Sequence, residues 1–290
     1  MEFVVSESYR KKKDISDSRL EIIQQTRHDQ ANSILERLSP FDHSSEKQYQ
    51  EIIDSSKKHL QSIYKNVGIN LDEGLFSNIY IFNEEDRQSV SDVVGFSVDG
   101  SEGEVITGLG SAIVFVRDET RQILPSIVHH EYEHLIGRSF DILNSIGVGQ
   151  VVGYTTSMNS GEIRGEALEE ALVVNNSVIF QETFDNENLS LVDKILVKNI
   201  PDKYNEVVSA YEPEMSMLFT LVEGVKALAG SEVCTEFIKD LVAGRIDSNR
   251  RFRMQKKLIL FTEAGLRESY LDFSLETIKI SMILLNIWKQ

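Results

Sequence analysis

A chain of 290 residues with 41% hydrophobic and 8% aromatic side chains is long enough to bury a sizeable core and has the composition of an ordinary globular protein. Its net charge of −16 argues against a nucleic-acid backbone as partner, because phosphate contacts need clustered lysine and arginine. The single cysteine, Cys234, excludes an intrachain disulfide and a cysteine-based zinc cluster.

The one basic run, Arg10-Lys11-Lys12-Lys13, reads as a solvated tail. The first residues lack an apolar stretch of signal-peptide length, and no run of about 18 apolar residues occurs, so a cytoplasmic protein without membrane contact is expected. Residues 14 to 67 predict two amphipathic helices. Leu20, Ile23, Ile34, Leu35 and Leu38 gather on one side of the first, and Pro40 stops it. Tyr49, Ile52, Ile53, Leu60, Ile63, Tyr64 and Val67 mark the second, with Gly68 at its end. Paired as a hairpin, they form an N-terminal helical region over 1–70, which leaves 71–290 as the main domain with a C-terminal helical subdomain over about 185–290.

Between 77 and 117 the runs "NIYIF" (78–82), "VVGFSV" (93–98) and "SAIVFV" (111–116) are β-branched or aromatic and separated by Gly, Asp and Ser. They predict a small sheet of three or four strands. A helix follows, with Pro125 in its first turn and Gly137 as its C-terminal cap. Residues 146–161 predict a glycine-rich loop or hairpin, and 162–180 a further helix. From about 185 onward the pattern is mostly helical, with Pro201 and Pro213 at turns or helix starts and "ISMILLNIW" (280–288) as a buried helix. The expected fold class is α+β, mostly α.

The helix after the sheet carries the chemistry. "IVHHEYEHLIG" (127–137) holds three of the six histidines and contains the pattern H-E-x-x-H as His130-Glu131-Tyr132-Glu133-His134. Residues four apart on a helix differ by about 40° in azimuth, so His130 and His134 project side by side and their ring nitrogens can share one zinc ion. Glu131 lies about 100° further round, poorly placed to ligate but placed to take a proton from a water that the metal polarises. Ile127, Val128, Leu135 and Ile136 flank these residues, and burying so much charge there is costly unless a cation offsets it. His129 sits one residue off the ligand face and is expected at the surface or in a role supporting the ligands.

"SIVHHEYEHLIG" resembles the active-site helix of the zincin metallopeptidases. The resemblance covers roughly residues 77 to 182; the N-terminal hairpin and the C-terminal helices fall outside it. It implies that the helix follows a small mixed sheet whose edge strand lines the cleft. "GSAIVFV" (110–116) is similar in position to that edge, where a peptide would pair as an added strand. Metzincins take a third histidine six residues after the second. Gly137 fits their intervening glycine, but Phe140 stands at the ligand position and Asp141 falls one residue late. Gluzincins take a glutamate from a second helix, and "RGEALEEALVV" (164–174) is similar to that segment.

On this resemblance Glu170 is the third ligand, with Glu166 as the alternative. Many gluzincins carry a further acid four residues after the ligand. Val174 stands there if Glu170 ligates, and Glu170 itself if Glu166 does. Glu162, Glu166 and Glu170 share one helical face, where like charges repel unless a cation neutralises them; Glu169 is expected to point elsewhere. The oxyanion of the transition state needs a donor, and since no histidine follows His134, Tyr154 and Tyr211 are the candidates.

The resemblance thus implies zinc-dependent peptide-bond hydrolysis with one Zn²⁺ ion on His130, His134 and Glu170, Glu131 as general base, and a peptide or protein as substrate. Absence of the G-x-M-E-N segment of many gluzincin aminopeptidases favours an endopeptidase. The competing readings are a catalytically inactive metal-binding or protein-interaction module on a helical scaffold, and a helical scaffold with no metal.

Overall fold

The computed structural model describes residues 17–76, 78–98, 102–106, 111–143, 147–158, 163–185 and 211–254. The basic run at 10–13, Glu162, Pro201 and the apolar segment 280–288 lie outside the described residues. The architecture is α+β and mostly α, as the sequence pattern predicts.

Both N-terminal helices are present, α1 (Asp17–Leu38) and α2 (Lys47–Asn66). The buried side chains of α2 are Tyr49, Ile52, Ile53, Ser56, Leu60 and Tyr64, a stripe at spacings of three and four that turns one face to the main core. Helix α1 sends Ala31 and Leu38 into a second, smaller core.

A three-stranded sheet separates the two cores. It comprises β1 (Ile79–Asn83), β2 (Gly103–Ile106) and β3 (Ser111–Val116), in the order β1-β3-β2. Strand β3 pairs parallel with β1 and antiparallel with β2. Its six residues are all buried: Ala112, Val114 and Val116 face the main core, while Ile113 and Phe115 face the smaller one.

That placement corrects two expectations. "GSAIVFV" holds the central strand, because an unbroken apolar run suits a strand covered on both faces. The edge beside the histidine helix is β2. "VVGFSV" is not a strand either. Its two valines end helix α3 (Arg87–Val94), where Val90, Val93 and Val94 pack into the smaller core, and Gly95 terminates it.

Helix α4 (Leu124–Gly137) follows the sheet and runs straight into β4 (Arg138–Leu143). Strands β5 (Gly147–Val152), β6 (Thr155–Met158) and β7 (Ile163–Arg164) complete an antiparallel meander in the order β4-β5-β6-β7, so the glycine-rich segment is a hairpin within a larger sheet. The next helix, α5 (Glu166–Asp185), begins four residues later than the expected start at 162. Ile163 and Arg164 pair with β6 instead, and Gly165 breaks the chain between them and α5 with φ +77. A Cβ at Gly165 would lie 2.4 Å from the Tyr154 carbonyl oxygen, so only glycine passes there.

Helix α6 (Glu212–Gly244) starts with Pro213 in its first turn and is interrupted at Gly230, φ +87. Beyond the break, Cys234 Sγ lies 3.5 Å from the Val222 carbonyl oxygen, 12 residues earlier. Uninterrupted helix would hold such residues about 18 Å apart, so the chain folds back at Gly230. Among the described residues no helix is long and apolar enough to cross a membrane.

Candidate metal centre

Helix α4 is buried along nearly its whole length, and distant residues satisfy its ends. At the start, the Ser126 amide donates to Gln181 Oε1 of α5 at 3.0 Å, closing one of the open N–H groups of the first turn. At the end, the Gly137 carbonyl accepts from the Gly153 amide at 2.9 Å. Gly137 is not one of the left-handed glycines, so the expected cap is corrected. A Cβ on Gly137 would sit 2.9 Å from the Gly153 nitrogen, and close approach of two backbones is what requires glycine here. Phe140 and Asp141 fall beyond the helix, in β4, opposite Gln150 and Gly149 of β5.

The i,i+4 spacing brings the two imidazoles together as predicted. His130 Nε2 and His134 Nε2 are 3.0 Å apart, and the rings meet edge to face. Glu170 of α5 faces both, with one oxygen 3.4 Å from His130 Nε2 and the other 3.3 Å from His134 Nε2. One donor atom from each residue lies within 4.8 Å of the other two, so the three form a group that can hold a metal ion. Glu170 Oε2 is buried and has no hydrogen-bond partner, which leaves it able to meet a cation. Two nitrogens and one carboxylate oxygen match a borderline divalent ion such as zinc. Glu166, the alternative, is exposed in the first turn of α5 and is not in the group.

Electrostatics favour positive charge at the convergence point. Burial works against an ionised Glu170, yet its contacts to His130 and His134 outweigh this and hold it well below the usual carboxylate range. Burial likewise opposes charge on His134, but the carboxylates of Glu169 and Glu170 lift it to about 10. A proton on His134 and a divalent cation answer the same demand, and uptake of the metal would release that proton.

Glu169 corrects the reading that sent it elsewhere. It is 1% exposed, and its Oε1 lies 3.5 Å from His134 Nδ1, on the far side of the ring from Glu170. Its Oε2 accepts the Tyr154 amide at 2.9 Å, and the Arg245 guanidinium grips both oxygens, with Nε 3.1 Å from each. Burial disfavours this charge too, but Arg245 and His134 bring Glu169 down to about 2. Arg245 also reaches Glu133 Oε1 at 3.0 Å and the Tyr64 hydroxyl at 2.9 Å, and the Asn176 amide donates to the same Glu133 oxygen at 2.8 Å. The sequence pattern gives no role to Arg245, Glu133 or Asn176, and it places Tyr64 only in the apolar stripe of α2. The one available signal was Arg245 and Glu133 lying among apolar neighbours, where charge needs a partner.

Glu131 is 5% exposed and outside the ligand group. Burial raises its pKa, with the neighbouring imidazoles pulling the other way. Its carboxylate rests against Gly103 of β2, where a Cβ would come within 2.6 Å of Oε1. The edge strand therefore passes directly over the predicted general base.

Of the two tyrosines, Tyr154 is a packed aromatic: its hydroxyl donates to the Leu241 carbonyl at 2.9 Å. Tyr211, at the start of α6, lies at the site, its ring centroid 6.0 Å from that of His130. Burial and the carboxylates of Glu170 and Glu131 raise its pKa, keeping the hydroxyl protonated as a donor. His129 is not at the surface. It is fully buried, bonded through Nε2 to His59 Nδ1 at 2.9 Å and stacked on Phe180. Comparison with protein families, with curated proteins and with solved structures finds no match.

Proposed function

We propose that the protein is a zinc-dependent peptidase of the zincin type, of gluzincin-like ligand pattern, and acts as an endopeptidase on peptide or protein substrates. The observation that carries this reading is the convergence of His130 Nε2, His134 Nε2 and Glu170 beneath an edge strand that touches Glu131. His130, His134 and Glu170 would hold the ion, which when bound supplies Lewis acidity to the scissile carbonyl and to the attacking water.

The chain's own residues supply the rest. Strand β2 pairs on one side with β3 and, among the described residues, leaves its other edge open, so an extended peptide can add there with its carbonyls over α4. Glu131 takes the proton from the attacking water and returns it to the leaving amine. Tyr211 donates to the oxygen on which negative charge develops.

The test is Glu131→Gln assayed on a peptide library. This variant should keep its metal and lose about 100- to 10,000-fold in kcat, the range for removing a general base. Undiminished turnover would refute the mechanism. A wild-type protein that binds metal and cleaves nothing would be the inactive metal-binding module instead.

A further inference from the structure

The metal-binding residues come from α4 and α5, but what fixes them to each other comes from beyond the fold-back at Gly230. We propose that Arg245, at the C-terminal end of α6, is a positioning residue of the metal centre. This inference rests on the metal reading above.

Arg245 is 0% exposed, and each of its three guanidinium nitrogens has a partner. Nε donates to Glu169. Nη1 serves the Tyr64 hydroxyl and the Glu133 carboxylate, while Nη2 serves the Glu133 carbonyl at 3.1 Å and Glu169 Oε1 at 2.5 Å. One planar fork thus joins α2, α4 and α5 to the end of α6.

The attachment points are informative. Glu133 precedes His134 and Glu169 precedes Glu170, so the guanidinium grips the two helices one residue away from a metal-binding group on each. Glu169 then passes that constraint to the imidazole, since its Oε1 stands at His134 Nδ1 while His134 Nε2 faces Glu170. The ring is held with the correct nitrogen toward the ion. A buried ion pair is a poor way to gain stability alone, because packed apolar side chains do as well or better. What a bidentate fork adds is direction.

The experiment measures Zn²⁺ and Co²⁺ uptake by the full chain against a competing chromophoric chelator, with Co²⁺ absorption bands as a second readout. Thermal midpoints are recorded without metal. Arg245→Met removes the charge; Arg245→Lys keeps the charge and removes the fork, which protects folding. Both should weaken metal binding by about 10- to 100-fold, and Arg245→Lys should shift the Co²⁺ bands. Arg87→Met, which breaks the separate pair between Arg87 of α3 and Glu84 just before that helix, should lower the midpoint yet leave metal affinity within about twofold. If Arg245→Lys folds and binds both metals as wild type does, with unchanged Co²⁺ bands, Arg245 only stabilises the core and the proposal falls. Wild-type protein that takes up neither metal overturns the metal centre itself, a different result from equal uptake by wild type and variants.

Discussion

Glu169 and Glu170 are adjacent in sequence, yet they address opposite nitrogens of the same imidazole. One step along a helix turns a side chain by about 100°, which from α5 alone sends the two carboxylates to different places. They meet again at His134 because that ring stands between them, with Nε2 toward one and Nδ1 toward the other. Periodicity and the gluzincin resemblance were enough to select Glu170. They missed Glu169, whose role depends on where His134 lies relative to α5. The choice between Glu170 and Glu166 has a direct check by metal titration. Glu170→Gln should weaken Zn²⁺ binding by more than the roughly 100-fold that losing a supporting group costs. Glu166→Gln, at an exposed site, should change it by no more than about twofold.

Among the elements, the helices read most clearly from the chain, since a stripe such as Tyr49, Ile52, Ile53, Leu60 and Tyr64 can only belong to a helix with one buried face. Strand order was harder. "SAIVFV" and "GEVI" are both short, and only the pairing β1-β3-β2 makes the first central and the second the edge beside Glu131. The turn between β5 and β6 was legible as glycine-rich but not as part of the site. Gly153 has φ +55, and a Cβ there would lie 2.0 Å from Glu169 Oε2. Gly153→Ala should therefore strain the backbone, by roughly 1–2 kcal/mol for the left-handed conformation alone, and unseat Glu169 as well. Urea melts should show a loss of about 2–4 kcal/mol. A parallel Zn²⁺ titration should show weaker binding; unchanged affinity would mean the carboxylate does not depend on this close approach.

One part of the molecule's pH response comes from what is packed behind the candidate metal site. His59, on α2, bonds to the fully buried His129 of α4, and burial lowers its pKa from 6.5 to about 4. The folded state therefore keeps His59 neutral where the unfolded chain would take up a proton. Stability linked to it is intact above about pH 6.5 and drains away as pH falls toward 4. Between pH 7 and pH 5 this amounts to about 2 kcal/mol. Urea melts at those two pH values should show wild type losing about that much more than His59→Gln; equal losses would mean the pair carries no such linkage.

The chain-wide arrangement also explains which features were readable in advance. The amphipathic helices and the paired imidazoles are set by local rules, apolar period and i,i+4 adjacency, and sequence alone determined these because a single helix fixes those relative positions. Glu170 was reached through the gluzincin resemblance, and only the packing of α5 against α4 brings it to the imidazoles. Arg245, Glu133 and Tyr64 come together from segments up to 181 residues apart. The edge strand over Glu131 and the fold-back at Gly230, which carries α6 from Tyr211 at the site around to Arg245, belong to the same category. Only the tertiary structure decided them, because a charge seeks whichever opposite charge the packing of helices brings within reach, and no local period encodes that meeting.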